Sequence, residues 1–295
     1  MGGFDRSVGF GFREASPVAR MRPQGLPTDA GLHDVGGTGG PGAGDGFRWP
    51  RPAGGADEAR RFQYSSPAMS RAQGWEVRRG FNGSGWYSRD WYDRYPGCWR
   101  PSAWYRGSLA SGAWAYCTWP YLGAWFDYGA APPINYNYGD NFTYDGGNVY
   151  YYGRLIGSAA QYYAEIKELA ESGPEPDPNV PDWLPLGVFA LVERGQNQPS
   201  LVFQLAVNKD AAIRGNCSKP DGQFVGIVNG GVNEDRQLAA WIVGDDKETI
   251  YETGLYNFTK DEAPALVHRG PNRTEQWLMV RMRAPDAPQP AGANR

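Results

Sequence analysis

The sequence predicts a mainly β protein with a small α+β part, ending in an antiparallel eight-stranded barrel, with a sandwich as the alternative. Three observations point there. Between residues 182 and 284, eight short apolar runs recur at near-regular spacing. Turn sequences of hairpin length separate them, including Asn208-Lys209-Asp210, Pro220-Asp221-Gly222, Asn229-Gly230-Gly231 and Gly244-Asp245-Asp246. No helical periodicity intervenes, so the strands pair antiparallel rather than through βαβ units.

The runs are Leu186–Val192, Leu201–Val207, Ala212–Cys217, Gln223–Val228, Gln237–Val243, Thr249–Thr253, Ala265–His268 and Gln276–Met282. A meander of this kind that closes on itself leaves no strand edge open to pairing. Residues 182–284 are therefore expected to form an autonomous module, preceded by a stiff Pro-rich linker at 174–181 and followed by a disordered tail at 285–295.

Upstream, residues 75–173 carry aromatic-rich short helices and then a β-hairpin–helix unit. Strands at Asn141–Tyr144 and Asn148–Tyr152 flank the turn sequence Asp145-Gly146-Gly147. Ser158 with Gln161 three residues later is a capping box, and Tyr162, Ile166 and Leu169 follow at helical spacing on one face. Gly173-Pro174 ends that helix. Eight of the twelve tryptophans fall between Trp75 and Trp125. Short helices are predicted at Ser88–Tyr95 and Pro120–Phe126, the second with proline at its first position. Residues 1–62, rich in Gly, Pro and Arg, contain too little apolar surface to offset ordering entropy, and a flexible arm is expected.

Charge is uneven. Residues 1–130 hold 15 Arg, no Lys and 11 acids, a net of +4, leaving −7 for the rest of a chain whose total is −3. Arg without Lys suits stacking and bidentate contacts, but the density is far below that of a nucleic-acid-binding stripe, and no nucleic-acid partner is expected. No run approaches the roughly 20 apolar residues of a membrane span, and no signal peptide is evident between Met1 and Leu32.

Chemistry-bearing residues are sparse. Two histidines (His33 and His268) and three cysteines (Cys98, Cys117 and Cys217) show no metal-ligand spacing, so neither metal nor cofactor is expected. No nucleophile elbow, zinc-protease or phosphate-loop pattern occurs, and the chain is expected not to be an enzyme. His268 is expected at a strand position facing solvent or the barrel interior, and Glu252 at an outward, solvated one. Cys98 and Cys117, 19 residues apart, would pair in an oxidising compartment and otherwise remain reduced and buried. The candidate ligand or partner surface is aromatic: Trp86, Tyr87, Trp91, Tyr92, Trp104 and Arg106, since indole and phenol rings stack on sugars and on guanidinium groups. Packing into a core is the commoner fate of such rings. It is expected for Trp114, Trp119 and Trp125, and exposure for Trp86 and Trp91, whose neighbours Ser88, Arg89, Asp90 and Asp93 are polar.

The stretches TWPYLGAWFDYG, YGDNFTYDGGNVYYYG, LPLGVFALV, FQLAVNKD, AIRGN, RQLAAWIVGD and QWLMVRM resemble planctomycete proteins labelled mu-protocadherin-like cell-surface proteins. The resemblance runs from Trp75 to Met282 and includes no cadherin-type calcium site. It implies a cell-envelope or extracellular setting and no known activity, with Cys217 standing where an aromatic residue would follow AIRGN. The expected function is a non-catalytic structural or interaction protein of the cell envelope, self-assembling through its N-terminal arm or joining other envelope subunits. The alternative is a module binding envelope polysaccharide or a small apolar ligand inside the barrel.

Overall fold

The computed structural model describes residues 67–81, 85–100, 112–173 and 183–284. The arm at 1–62, Trp104, Arg106, the linker at 174–181 and the tail at 285–295 lie outside the described residues.

Eight antiparallel strands close into a barrel: β4 (Trp183–Val192), β5 (Leu201–Asn208), β6 (Ala212–Ser218), β7 (Phe224–Asn233), β8 (Leu238–Val243), β9 (Asp246–Gly254), β10 (Glu262–Arg269) and β11 (Thr274–Arg281). Each pairs with its chain neighbour, and β11 returns to β4 with Leu278 opposite Val192 and Arg281 opposite Phe189. That last ladder makes the fold a barrel and not a sandwich.

Side chains alternate across the wall. Phe189, Phe203, Leu205, Trp241 and Tyr251 point inward into one cluster. Trp241 and Tyr251 stack with centroids 6.0 Å apart, and Phe203 meets Tyr251 at 5.0 Å. The interior is thus a packed core, as an eight-stranded barrel is wide enough to be filled by its own side chains. Helix α3 (Trp119–Trp125) and a 3-10 turn at Leu255–Thr259 plug one end, adding Leu122, Phe126, Leu255 and Phe258 to the core.

Two layers cover the outside of the wall. The first comprises α1 (Pro67–Gly80), α2 (Arg89–Arg94) and neighbouring loops. There Val77, Trp86, Tyr87, Trp91 and Tyr92 pack on the outward faces of Val188, Ala190, Val202 and Val280. The Asn216 amide fastens this layer by accepting from the Trp99 N–H at 2.8 Å and donating to the Trp99 carbonyl at 2.9 Å. The second layer is a sheet of β1 (Phe142–Asp145), β2 (Asn148–Tyr151) and β3 (Arg154–Ser158), followed by α4 (Ala159–Glu171). Ser158 and Gln161 form the expected capping box. Tyr136, Phe142, Tyr151, Tyr162 and Ile166 cover Leu238, Ala240, Ile250 and Leu266.

Apart from α3, which plugs the barrel, the aromatic and hairpin–helix segments are therefore its outer coat. Asn229-Gly230-Gly231, read as a turn, lies inside β7. Its glycines permit close approach: a Cβ on Gly231 would lie 2.8 Å from the Leu169 carbonyl of α4, and one on Gly230 would lie 2.3 Å from the Ala240 carbonyl. Helix α1 was not foreseen. It is anchored by buried Val77, an Arg78–Glu262 ion pair and a Gln73 donation to the Gln196 carbonyl at 2.6 Å.

Candidate functional site

The proposed aromatic surface is not an exposed platform. Trp86, Tyr87, Trp91 and Tyr92 are all buried. The Trp91 indole donates to the Gly222 carbonyl at 2.9 Å, and the Tyr87 hydroxyl to the Val202 carbonyl at 3.3 Å. The polar neighbours misled because α2 is amphipathic: Ser88 caps it, Arg89, Asp90, Asp93 and Arg94 share its outer face, and Trp91 and Tyr92 take the inner one. Trp114, Trp119 and Trp125, expected in the core, are only half-buried.

Cys98 and Cys117 are not bridged. All three cysteines are free and buried. Cys98 packs in the first outer layer, whereas Cys117 joins the interior cluster. Burial pushes the Cys117 thiol up to about 12 and raises Cys98 and Cys217 as well. A disulfide reagent at neutral pH should therefore leave the native protein unlabelled, since thiolate is the reactive form. Denaturation should release three reactive thiols. Only one would mean that Cys98 and Cys117 are joined.

A polar cluster lies between the barrel wall and the second layer, where sequence reasoning placed nothing. Glu252 on β9 and His268 on β10 are both fully buried. They face neither solvent nor the barrel interior, but outward against the aromatic coat. The His268 Nε2 lies 2.8 Å from Glu252 Oε2, and its Nδ1 lies 3.0 Å from Thr274 Oγ1. The other carboxylate oxygen accepts from the Tyr138 and Tyr162 hydroxyls, each at 2.6 Å. Three donors converge on one carboxylate, the arrangement a buried charge requires. The donors come from the loop before β1, from α4 and from β10, so the cluster joins three elements. A His–Glu pair has the groups for proton transfer, but here both lie under the coat and act as a fastening.

Burial, and next the charge of Glu252, hold the Tyr138, Tyr162 and Tyr144 phenols well above their usual value. In the unfolded chain they would ionise near about pH 10. A raised folded value means that their contribution is complete below about pH 10 and is lost as pH rises beyond it, by about 1.4 kcal/mol per pH unit for each tyrosine. Alkaline titration should give a cooperative rise in tyrosinate absorbance coincident with loss of near-ultraviolet circular dichroism. Smooth ionisation with the fold intact would contradict this burial.

Open space lies at the seam between the two layers. There the outward residues of β10 and β11 (Pro264, Gln276 and Leu278) floor a groove of about 690 Å³. Ser70, Gln73, Trp75 and Glu76 of α1, Asn137, and Arg194, Gly195 and Asn197 of the β4–β5 loop add to its lining. Trp75 is exposed, with the Arg79 guanidinium 5.0 Å over its ring.

Among the described residues no group of three or more His, Cys, Asp or Glu side chains could hold a metal ion, and no helix is long and apolar enough to cross a membrane. The chain matches no protein-family model, no curated protein and no solved structure.

Proposed function

We propose that this chain is a non-catalytic structural or interaction protein of the cell envelope. The observation that carries this reading is the filled barrel. Phe189, Phe203, Trp241, Tyr251 and Phe258 occupy the volume in which a hollow barrel would hold a ligand, so recognition belongs to the exterior. The envelope setting rests on the sequence resemblance, and assembly with other copies or other envelope subunits is assigned to residues 1–62. Sedimentation of the full chain should show self-association that is lost on deleting residues 1–62, and cell fractionation should place the protein in the envelope. A monomer at all concentrations, recovered from the cytosol, would overturn the proposal. The second reading, polysaccharide binding, is favoured by the groove at the seam.

A further inference from the structure

We infer that the seam groove beside Trp75 is a binding site for a neutral oligosaccharide, an inference that rests on the polysaccharide-binding reading and gives it a place and a ligand class.

Among the described residues, the groove is where the coat leaves the outer wall of the barrel open beside an exposed tryptophan. Arg79 covers one face of the Trp75 ring and does not line the groove, whereas Trp75 does. An exposed indole face held against a rigid wall suits the C–H face of a pyranose, since the ring carries apolar area and a negative π surface. The rest of the lining is amide-rich, with Gln73, Asn197 and Gln276. Amides both donate and accept, as sugar hydroxyls do. The Oε1 of Gln276 has no hydrogen-bond partner among the described residues. A buried acceptor left unpaired is costly, and the broad terminal torsion of glutamine lets it be re-aimed. A hydroxyl donor there would satisfy it.

The charges fit a neutral ligand. One acid, Glu76, and one cation, Arg194, line the groove, so neither a phosphate nor a polyacid is selected. An extended peptide is the competing occupant. It commonly binds by adding to a free strand edge, and the wall beneath the groove belongs to a closed barrel with no edge to offer.

The test is affinity electrophoresis and calorimetry of the full chain with maltohexaose, cellohexaose and laminarihexaose. At least one should bind, and Trp75→Ala and Gln276→Ala should each weaken it on the order of tenfold without changing the melting temperature. If the wild type binds none of them, the polysaccharide reading fails and this inference with it. If it binds and both variants bind equally well, the reading stands and the groove is the wrong site. A photoreactive residue in place of Trp75 that cross-links to residues 1–62 would also overturn the inference, by showing that the chain fills its own groove.

Discussion

Residues 183–284 expressed alone should give a molten or aggregating product, although their sequence reads as a self-contained module. The barrel has two apolar faces. Outside, Val188, Val192, Val202 and Val280 are covered by the first layer and Leu238, Ile242, Ile250 and Leu266 by the second. Fully burying one such side chain is worth ~1.5–3 kcal/mol. Exposing all eight forfeits on the order of 12–24 kcal/mol, against a total domain stability of about 5–15 kcal/mol. It would also create contiguous apolar patches of the kind that drive aggregation. A fragment spanning residues 67–284 should show a sharp thermal transition. The shorter one should bind a hydrophobic dye and give poorly dispersed amide spectra. Dispersed spectra and a cooperative melt from 183–284 would show that the coat is dispensable.

Replacing His268 with leucine should cost ~1.5–3 kcal/mol, the loss typical of removing a hydrogen bond to a buried carboxylate. The substitution leaves the Glu252 carboxylate with two phenolic donors and an apolar neighbour where its imidazole donor stood at 2.8 Å. For a protein of this size the melting temperature should fall by roughly 3–12 °C. Changing Glu252 and His268 to leucine together should cost less than the sum of the single changes, because the two act as one unit. A melting temperature unaltered by His268→Leu would mean that the tyrosines alone hold the carboxylate.

Some of the fold was legible because its causes are local. The hairpin around Gly146-Gly147 and the Ser158–Gln161 capping box each depend on residues within a few positions of one another, and both are found. The helix does end just before Gly173, but without the left-handed glycine cap. The eight strands emerged from turn chemistry between apolar runs. One further signal is present in the sequence. Runs such as Leu186–Val192 and Leu238–Val243 are apolar at almost every position, whereas a strand with one solvated face alternates. Such runs imply cover on both sides, and that cover is the Trp- and Tyr-rich coat.

The candidate sites were less legible. Glu252 and His268 are 16 residues apart on neighbouring strands, and their tyrosine partners lie 114 and 90 residues from Glu252. Nothing in the local sequence of a lone acid distinguishes a solvated position from one under a coat. The groove is assembled from α1, the β4–β5 loop and β10–β11, none of which is concave by itself.

The sequence by itself determined the β-rich class, the eight barrel strands, most of the turns and the aromatic character of the segment ahead of the barrel, because these follow from backbone preference and turn chemistry within single segments. Only the tertiary structure decided that the barrel is solid, that Trp86 and Trp91 are core while Trp75 is exposed, and that Gly231 seats a helix. It also decided that the acid of β9 meets a histidine and two phenols. In each case the outcome depends on which surface a distant segment covers, and coverage is a property of the assembled chain that no local spacing encodes.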